Sequence, residues 1–95
     1  MTAYFIGEHR VTDPAKYAEY LRQVAPMIAR FGGRYITQVG THTVLEGDWA
    51  PNRVVIIECP DMAALNAWYH LPEYQPLMAL RRSASVDVLI AVEGT

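Results

Sequence analysis

The chain has 95 residues, of which 52% are hydrophobic and 19% are charged, and its formal net charge is −2. This size and composition predict one compact domain over residues 1–95 and exclude a disordered chain, a collagen and a coiled coil. The arginines are dispersed, so no basic patch predicts binding to nucleic acid or to an anionic membrane. No apolar run approaches the ~18 residues of a membrane span, and the N-terminus lacks a signal-peptide pattern. We therefore expect a soluble, cytoplasmic protein.

The first third of the chain predicts a strand and then an amphipathic helix. Residues Ala3 to Val11 mix aromatic and β-branched side chains with single charges, which favours a strand. Asp13 followed by Pro14 is a helix start, because Asp accepts hydrogen bonds from the free amides of the first turn and Pro loses none there. Pro26 predicts a kink or a short break. The pair Gly32-Gly33 predicts the helix end, as a left-handed cap and its successor.

The middle of the chain contains two further extended segments, Arg34 to Val39 and Thr43 to Glu46. The residues between them, Gly40-Thr41-His42, form either a hairpin turn or a glycine bulge within one long bent strand. We favour the bulge, because it leaves four strands in the whole chain. The next residues, Gly47 to Asn52, contain the turn formers Asp, Pro and Asn and predict the true turn.

The second half of the chain predicts a strand, an interrupted helix and a last strand. Arg53 to Cys59 is the strand. Pro60-Asp61 starts a helix that Pro72 interrupts and restarts before it ends at Ala84. Val86 to Glu93 then closes the sheet. The order of elements is therefore β-α-β-β-α-β, an α+β fold with a four-stranded antiparallel sheet.

Two of the predicted strands carry consecutive apolar residues, Val54-Val55-Ile56-Ile57 and Val88 to Val92. Side chains alternate between the two faces of a strand, so these runs predict a sheet that is buried on both faces. The two helices can cover only one face, and the chain has no further element for the other. We therefore expect a homodimer in which two sheets pack face to face in a closed, twofold barrel.

A set of residues spread over nearly the whole chain carries a resemblance to a known family. These residues are Asp13-Pro14, Tyr17, Tyr20, Gly32-Gly33-Arg34-Tyr35, Glu46-Gly47, Trp49, Pro51, Arg53, Glu58, Pro60, Trp68-Tyr69, Pro72-Glu73-Tyr74-Gln75, Arg81 and Glu93-Gly94. In this order they resemble the DUF1330 family of domains of unknown function. The resemblance implies a ferredoxin-like protomer in a dimeric α+β barrel, and no settled activity. Relatives in the wider superfamily include cofactor-free oxygenases, isomerases and ligand-binding proteins.

The histidines and the single cysteine predict neither a metal site nor an intrachain disulfide. His9, His42 and His70 have no spacing typical of metal ligands, and Cys59 is expected to be a buried apolar side chain. His9 lies among apolar neighbours on the first strand. It is either a general base, because its ordinary pKa is near neutrality, or a hydrogen-bonded histidine at the strand end. We expect no cofactor.

Glu46, Trp49 and Arg53 flank one predicted turn, so they can converge in space. Glu46 and Arg53 are then expected to face one another as a cross-strand ion pair. In a functional interpretation, the carboxylate is held by the guanidinium beside an indole wall and orients or deprotonates a small polar ligand. In a structural interpretation, the ion pair and Trp49 only fix the turn.

Aromatic residues near the interruption of the second helix predict either pocket walls or part of the core. Trp68 and Tyr74 have polar tips that need partners when they are buried. As pocket walls they stack on a flat apolar ligand, and Arg34 or Arg81 holds its carboxylate or phenolate.

Two functions follow from these candidates. The first is a small-molecule-binding or interaction homodimer with a cavity between the sheet and the helices. The second is a cofactor-independent enzyme, of oxygenase or isomerase type, acting on a small aromatic or polyketide-like compound. The sequence shows no set of nucleophile, base and orienting residue and no cofactor fingerprint, which favours binding.

Overall fold

The computed structural model describes all 95 residues of the chain. The four strands are β1 (Ala3–Val11), β2 (Arg34–Thr37), β3 (Arg53–Cys59) and β4 (Ser85–Glu93). The helices are α1 (Pro14–Arg30), α2 (Met62–Tyr69) and α3 (Gln75–Ala84), and a short 3-10 helix, Pro72–Tyr74, joins the last two. The sheet order is β2-β3-β1-β4, with every neighbouring pair antiparallel. This is a ferredoxin-like α+β arrangement, and the predicted fold class is confirmed.

Helix α1 begins as predicted but runs through its proline. The Asp13 carboxylate accepts a hydrogen bond from the backbone N–H of Lys16 at 3.1 Å, which caps the first turn. The helix continues past Pro26, so the expected break is not formed. Pro26 lies on the exposed side of the helix, where water can satisfy the carbonyl that lacks its usual donor. After the helix, Gly32 has a φ of 78°, which is the predicted left-handed cap.

Residues 38–52 contain no strand, so the predicted strand Thr43 to Glu46 is wrong. An extended segment becomes a strand only when it pairs, and β2 already leaves its register with β3 between Tyr35 and Thr37. The segment is instead held near its end by the Glu8 carboxylate on β1. Trp49 Nε1 donates to Glu8 Oε1 at 3.0 Å, and the Asn52 backbone N–H donates to Glu8 Oε2 at 3.3 Å.

All helices pack on one face of the sheet, and the other face is left apolar. The core consists of side chains that point toward the helices, such as Phe5 on β1 and Val55 and Ile57 on β3. On the opposite face, residues of β4 keep between 41% and 67% of their surface exposed. These residues are Val86, Val88, Ile90 and Val92. Of the rest of the chain, Trp49 of the 38–52 segment lies against this open face, beside Ile6, Glu8, Val88 and Ile90.

Candidate functional site

A buried cluster of polar side chains joins β1, α3 and β4. His9 and Asp87 are opposite one another in the β1–β4 register, and His9 Nδ1 lies 2.6 Å from Asp87 Oδ1. Arg81, on α3, donates from Nη1 to Asp87 Oδ2. Ser85 Oγ lies 2.7 Å from Asp87 Oδ1 and 3.0 Å from the Arg81 carbonyl oxygen. The side chains of His9, Arg81 and Asp87 are each 6% exposed or less, so one buried carboxylate has three side-chain partners.

The surroundings hold Asp87 ionised and His9 neutral. Burial lowers the pKa of His9 below its ordinary 6.5 and outweighs the hydrogen bond to Asp87, which raises it. Burial raises the pKa of Asp87, but the hydrogen bonds from His9 and Ser85 and the charge of Arg81 outweigh it, so the net pKa lies below its ordinary value. An ionised carboxylate only accepts hydrogen bonds, so the proton of His9 resides on Nδ1. Nε2 is therefore left with a free lone pair.

Nε2 of His9 lies against Gly7 on the inner face of the sheet. A Cβ atom at Gly7 would lie 3.2 Å from His9 Nε2 and 2.6 Å from Leu89 Cδ2. The missing side chain therefore makes room for both the imidazole ring and Leu89. His9 Nε2 and Leu89 Cδ2 therefore both lie over Gly7 of β1.

Three buried N–H donors between the sheet and the helices have no acceptor. They are Arg81 Nε, Arg81 Nη2 and Trp68 Nε1. Trp68 packs on Tyr74, with ring centroids 5.0 Å apart, and the Tyr74 hydroxyl lies 2.7 Å from that of Tyr20. Burial lowers the pKa of Arg81, but Tyr74, Tyr20 and Asp87 outweigh it and raise the net pKa, so Arg81 is charged. A buried donor without an acceptor costs about 1–3 kcal/mol, so these groups are candidates to bind an acceptor atom of a ligand.

Two neighbouring pockets lie along the edge strand β4, between the sheet and helices α2 and α3; we call them together the β4 groove. Its polar end has a volume of about 390 Å³ and is lined by Tyr69, Arg81, Arg82, Ser85, Val86, Asp87 and Leu89. Its apolar end has a volume of about 160 Å³ and is lined by Phe5, Leu65, Asn66, Tyr69, Leu89, Ile90 and Ala91. The two ends share Tyr69 and Leu89, so they follow one another along the strand. An apolar surface with a few convergent polar groups is typical of small-molecule sites.

The structure brings four of the candidate residues from the sequence into this region. His9 and Arg81 belong to the polar cluster, while Trp68 and Tyr74 are at most 1% exposed and form the core beside Arg81. As buried residues, Trp68 and Tyr74 contribute packing and polar tips rather than an open wall.

Of the other four candidates, Arg53 lies beside His9, opposite it in the β1–β3 register and lining a pocket with it, and the remaining three lie elsewhere. Glu46 is exposed and forms no ion pair with Arg53, so the predicted pair is wrong, because the segment between them does not form the expected hairpin. The Arg53 guanidinium instead lies 5.0 Å from the centre of the Tyr17 ring. Trp49 is bound to Glu8, and Arg34 pairs with Glu58 at 3.3 Å on the surface.

Sequence reasoning missed Asp87, although the sequence contains a sign of it. Asp87 is the one charged residue among the apolar residues 86–92, and the alternation of β4 places it on the inner face with Leu89. Arg81 likewise falls on the buried side of α3, at helical spacing from Leu77 and Ala84. When two consecutive elements each carry one charge on their apolar side and the two charges are opposite, a buried ion pair is predicted.

No group of three or more His, Cys, Asp or Glu side chains is placed to hold a metal ion. None of the helices has both the length and the apolar composition needed to cross a membrane.

The sheet order and the packing of all helices on one face of the sheet make the chain a ferredoxin-like α+β protein, and the family comparison agrees. The model of the DUF1330 family, described as a domain of unknown function, matches residues 2–95. The chain belongs to this family, as its sequence resemblance predicted. No curated protein matches the chain.

Several solved structures share the fold. A protein of unknown function from Rhodopseudomonas palustris is 24% identical, with a TM-score of 0.78 over 99% of this chain and 82% of that one. A variant of SnoaB, a cofactor-independent oxygenase from Streptomyces nogalater, is 21% identical, with a TM-score of 0.75 over 98% of this chain and 92% of that one. A dimeric ferredoxin-like protein of unknown function from Jannaschia is 10% identical, with a TM-score of 0.77 over 99% and 100% of the two chains. At these identities the likeness concerns the fold alone.

The depressed pKa of His9 makes the free energy of unfolding depend on pH. The unfolded chain binds a proton at His9 near pH 6.5, whereas the folded chain does so only at lower pH. Stability is therefore full above 6.5 and is lost as the pH falls toward the folded pKa. His9→Gln removes this titration and should flatten the dependence on pH below 6.5, measured by urea unfolding. The exposed-histidine control His70→Gln should keep the wild-type slope, and an equally steep slope in His9→Gln would contradict a neutral His9.

Proposed function

We propose that the protein binds a small anionic molecule in the β4 groove. The observation that carries this proposal is the buried Arg81, which has two unpartnered N–H groups and lines the polar end of the groove. Asp87 occupies only Nη1, so Nε and Nη2 remain for a second acceptor. A guanidinium presents its donors in a fixed plane that suits a carboxylate or phenolate oxygen.

The charge of the polar end supports an anion. Arg81 and Arg82 contribute two positive charges and Asp87 one negative charge, which leaves a net charge of +1 among the lining residues. A ligand with one negative charge would neutralise this end. The apolar end would bury the rest of the molecule, because six of its seven lining residues are hydrophobic.

In this proposal the candidate residues have different roles. Arg81 binds the ligand, and His9 acts through Asp87, which holds Arg81 in place. Trp68 and Tyr74 support Arg81 from the core. Arg34, Glu46, Trp49 and Arg53 lie outside the β4 groove and have no role in it.

We further propose that the protein is a homodimer that associates through the open face of the sheet. The support is physical: four branched side chains of β4 are exposed there, and a contiguous apolar surface of this kind marks an interaction site. Two structural neighbours, from Jannaschia and from Thermobifida fusca, are described as dimeric ferredoxin-like proteins.

A second candidate function is cofactor-independent catalysis, because His9 has the features of a general base. Its Nδ1 proton is held by Asp87, so Nε2 can take a proton from an enol or phenol hydroxyl of a ligand that enters beside His9, which lines a pocket with Val11, Asn52 and Arg53. The resulting oxyanion would be stabilised by the charge of Arg81. The oxygenase and isomerase types of such enzymes both begin with a proton transfer, and the likeness to SnoaB, a cofactor-independent oxygenase, favours this candidate.

Binding is tested by replacing Arg81 with a residue that keeps its charge. Arg81→Lys retains a cation for Asp87 but loses the planar fork, so the affinity for 3-phenylpropionate should fall about tenfold or more in calorimetric titration. The neutral 3-phenylpropionamide should bind the wild-type protein more weakly than the acid. Arg22→Lys, on the exposed side of α1, is the matched control and should bind as the wild type does. Equal affinities for acid and amide would contradict the proposal.

Association is tested by a charge on the open face. Val88→Asp places a carboxylate on a side chain that is 67% exposed in the single chain, so it should fold but dissociate, because the dimer would bury an unpaired charge. Light scattering at micromolar concentration should give the dimer mass for the wild type and for Ala18→Asp on the exposed side of α1. A monomeric wild type would refute the homodimer.

Catalysis is tested with the tautomerisation of enol phenylpyruvate to its keto form, which moves one proton from oxygen to carbon and needs no oxidant. His9→Gln should lower the rate by about 10²–10⁴-fold, measured by ultraviolet absorbance. His70→Gln should keep the wild-type rate. If His9→Gln and the wild type are equally fast, or neither exceeds the rate in buffer, the protein is not a general-base enzyme for this class.

A further inference from the structure

We infer that the β4 groove is completed by the partner subunit, so that binding of an anion in the groove and formation of the homodimer strengthen one another. This inference rests on the two parts of the proposed function, the anion site and the association through the open face, and it joins them. The feature that carries it is the double position of Val86 and Ile90. Both residues line the groove, and both are exposed on the open face.

One wall of the groove has solvent behind it in the single chain. β4 is an edge strand, so no further strand of the chain lies beyond it. Val86 lines the polar end of the groove and is 65% exposed, and Ile90 lines the apolar end and is 57% exposed. The apolar end is accordingly only half enclosed by its own chain. A ligand in the groove therefore packs against side chains that nothing supports from the other side.

A hollow on the open face lies directly behind this wall. It has a volume of about 200 Å³, and its lining includes Ile6, Glu8, Trp49, Val88 and Ile90. Ile90 lines both this hollow and the apolar end of the groove. A side chain of a second subunit that fills the hollow packs on Ile90 and restricts its rotamers. The ligand then meets a wall that is already ordered, and its binding loses less side-chain entropy.

The open face fits a second copy of this chain. The molecule is a flat slab with extents of 35 × 34 × 17 Å, and the open face is one of its two broad sides. Such a side is larger than the ~800 Å² that each partner of a stable complex buries. The Glu8 carboxylate on this face already accepts hydrogen bonds from Trp49 Nε1 and the Asn52 backbone N–H. A second apolar face can therefore cover it without leaving its oxygens unpartnered, and twofold symmetry would complete both grooves at once.

The test uses Val88, which lies on the open face between Val86 and Ile90 but does not line the groove. Val88→Asp removes the partner without changing any lining residue. Its affinity for 3-phenylpropionate should be about fivefold or more below that of the wild type in calorimetric titration, with circular dichroism showing that it is folded. Ala18→Asp, on the exposed side of α1, is the control and should keep both the dimer mass and the affinity.

The wild-type protein allows a second measurement without any substitution. Coupling between two binding equilibria is reciprocal. A saturating concentration of 3-phenylpropionate should therefore lower the Kd of the dimer by the same factor, measured by analytical ultracentrifugation over a dilution series. A dimer Kd that the acid leaves unchanged would overturn the inference, and this measurement decides the question if Val88→Asp does not fold.

The outcomes separate this inference from the proposals on which it rests. If Val88→Asp is folded and monomeric and binds 3-phenylpropionate as tightly as the wild type, one chain completes the groove and the inference is wrong, while the anion site stands. If Val88→Asp remains dimeric, the interface lies elsewhere and the inference is also wrong. A wild type that is monomeric, or that is dimeric and does not bind the acid, removes the homodimer or the anion site respectively, and this inference with it.

Discussion

The buried carboxylate of Asp87 is the group on which the packing of β1, α3 and β4 depends. It is bound by Arg81 from the preceding helix, by Ser85 from the start of its own strand and by His9 from the neighbouring strand. Removing a carboxylate from water costs several kcal/mol, and this cost is offset only when charged and hydrogen-bonding partners are in place. The end of α3, the start of β4 and the end of β1 must therefore meet in one arrangement. The backbone N–H groups of Thr12 and Asp13 reinforce it, since both donate to the Ala84 carbonyl.

The same carboxylate determines which nitrogen atoms of His9 and Arg81 remain free. It holds the proton of His9 on Nδ1 and so leaves Nε2 unprotonated, and it occupies one nitrogen of Arg81 while two remain unpartnered. A buried ion pair that is incompletely satisfied contributes less to stability than an apolar core of the same volume. The arrangement is thus better suited to binding or proton transfer than to stability, which is the physical basis for placing the site here.

Strand β4 links the two proposed surfaces of the protein. Its inward residues, including Asp87 and Leu89, line the groove, and its outward residues form the open apolar face. Val86 and Ile90 belong to both surfaces, because they line the groove at the edge of the sheet and are also exposed on the open face. An association through the open face would therefore bring a second subunit against the rim of the groove at these two residues.

The sequence by itself determined the bounds of β1 and β3, the start and end of α1 and the one-sided coverage of the sheet, whereas β2 ends at Thr37 rather than at the predicted Val39. β1 and β3 begin and end at the predicted residues, and the caps at Asp13 and Gly32 are those expected. These features depend on local periodicity, on side chains that bond to their own backbone and on the φ angles that proline and glycine allow, and all of these are local properties of the chain.

Only the tertiary structure decided which charges meet. The expected pair of Glu46 and Arg53 needed a hairpin that the segment between them does not form, because extended residues make a strand only against a partner. The pair that does form, His9 with Asp87, joins residues 78 positions apart through the register of β1 with β4. Such a register is set by packing across the whole sheet. The sequence therefore shows which residue types the candidate site contains and which face of its element each one occupies, whereas the fold decides which of them pair.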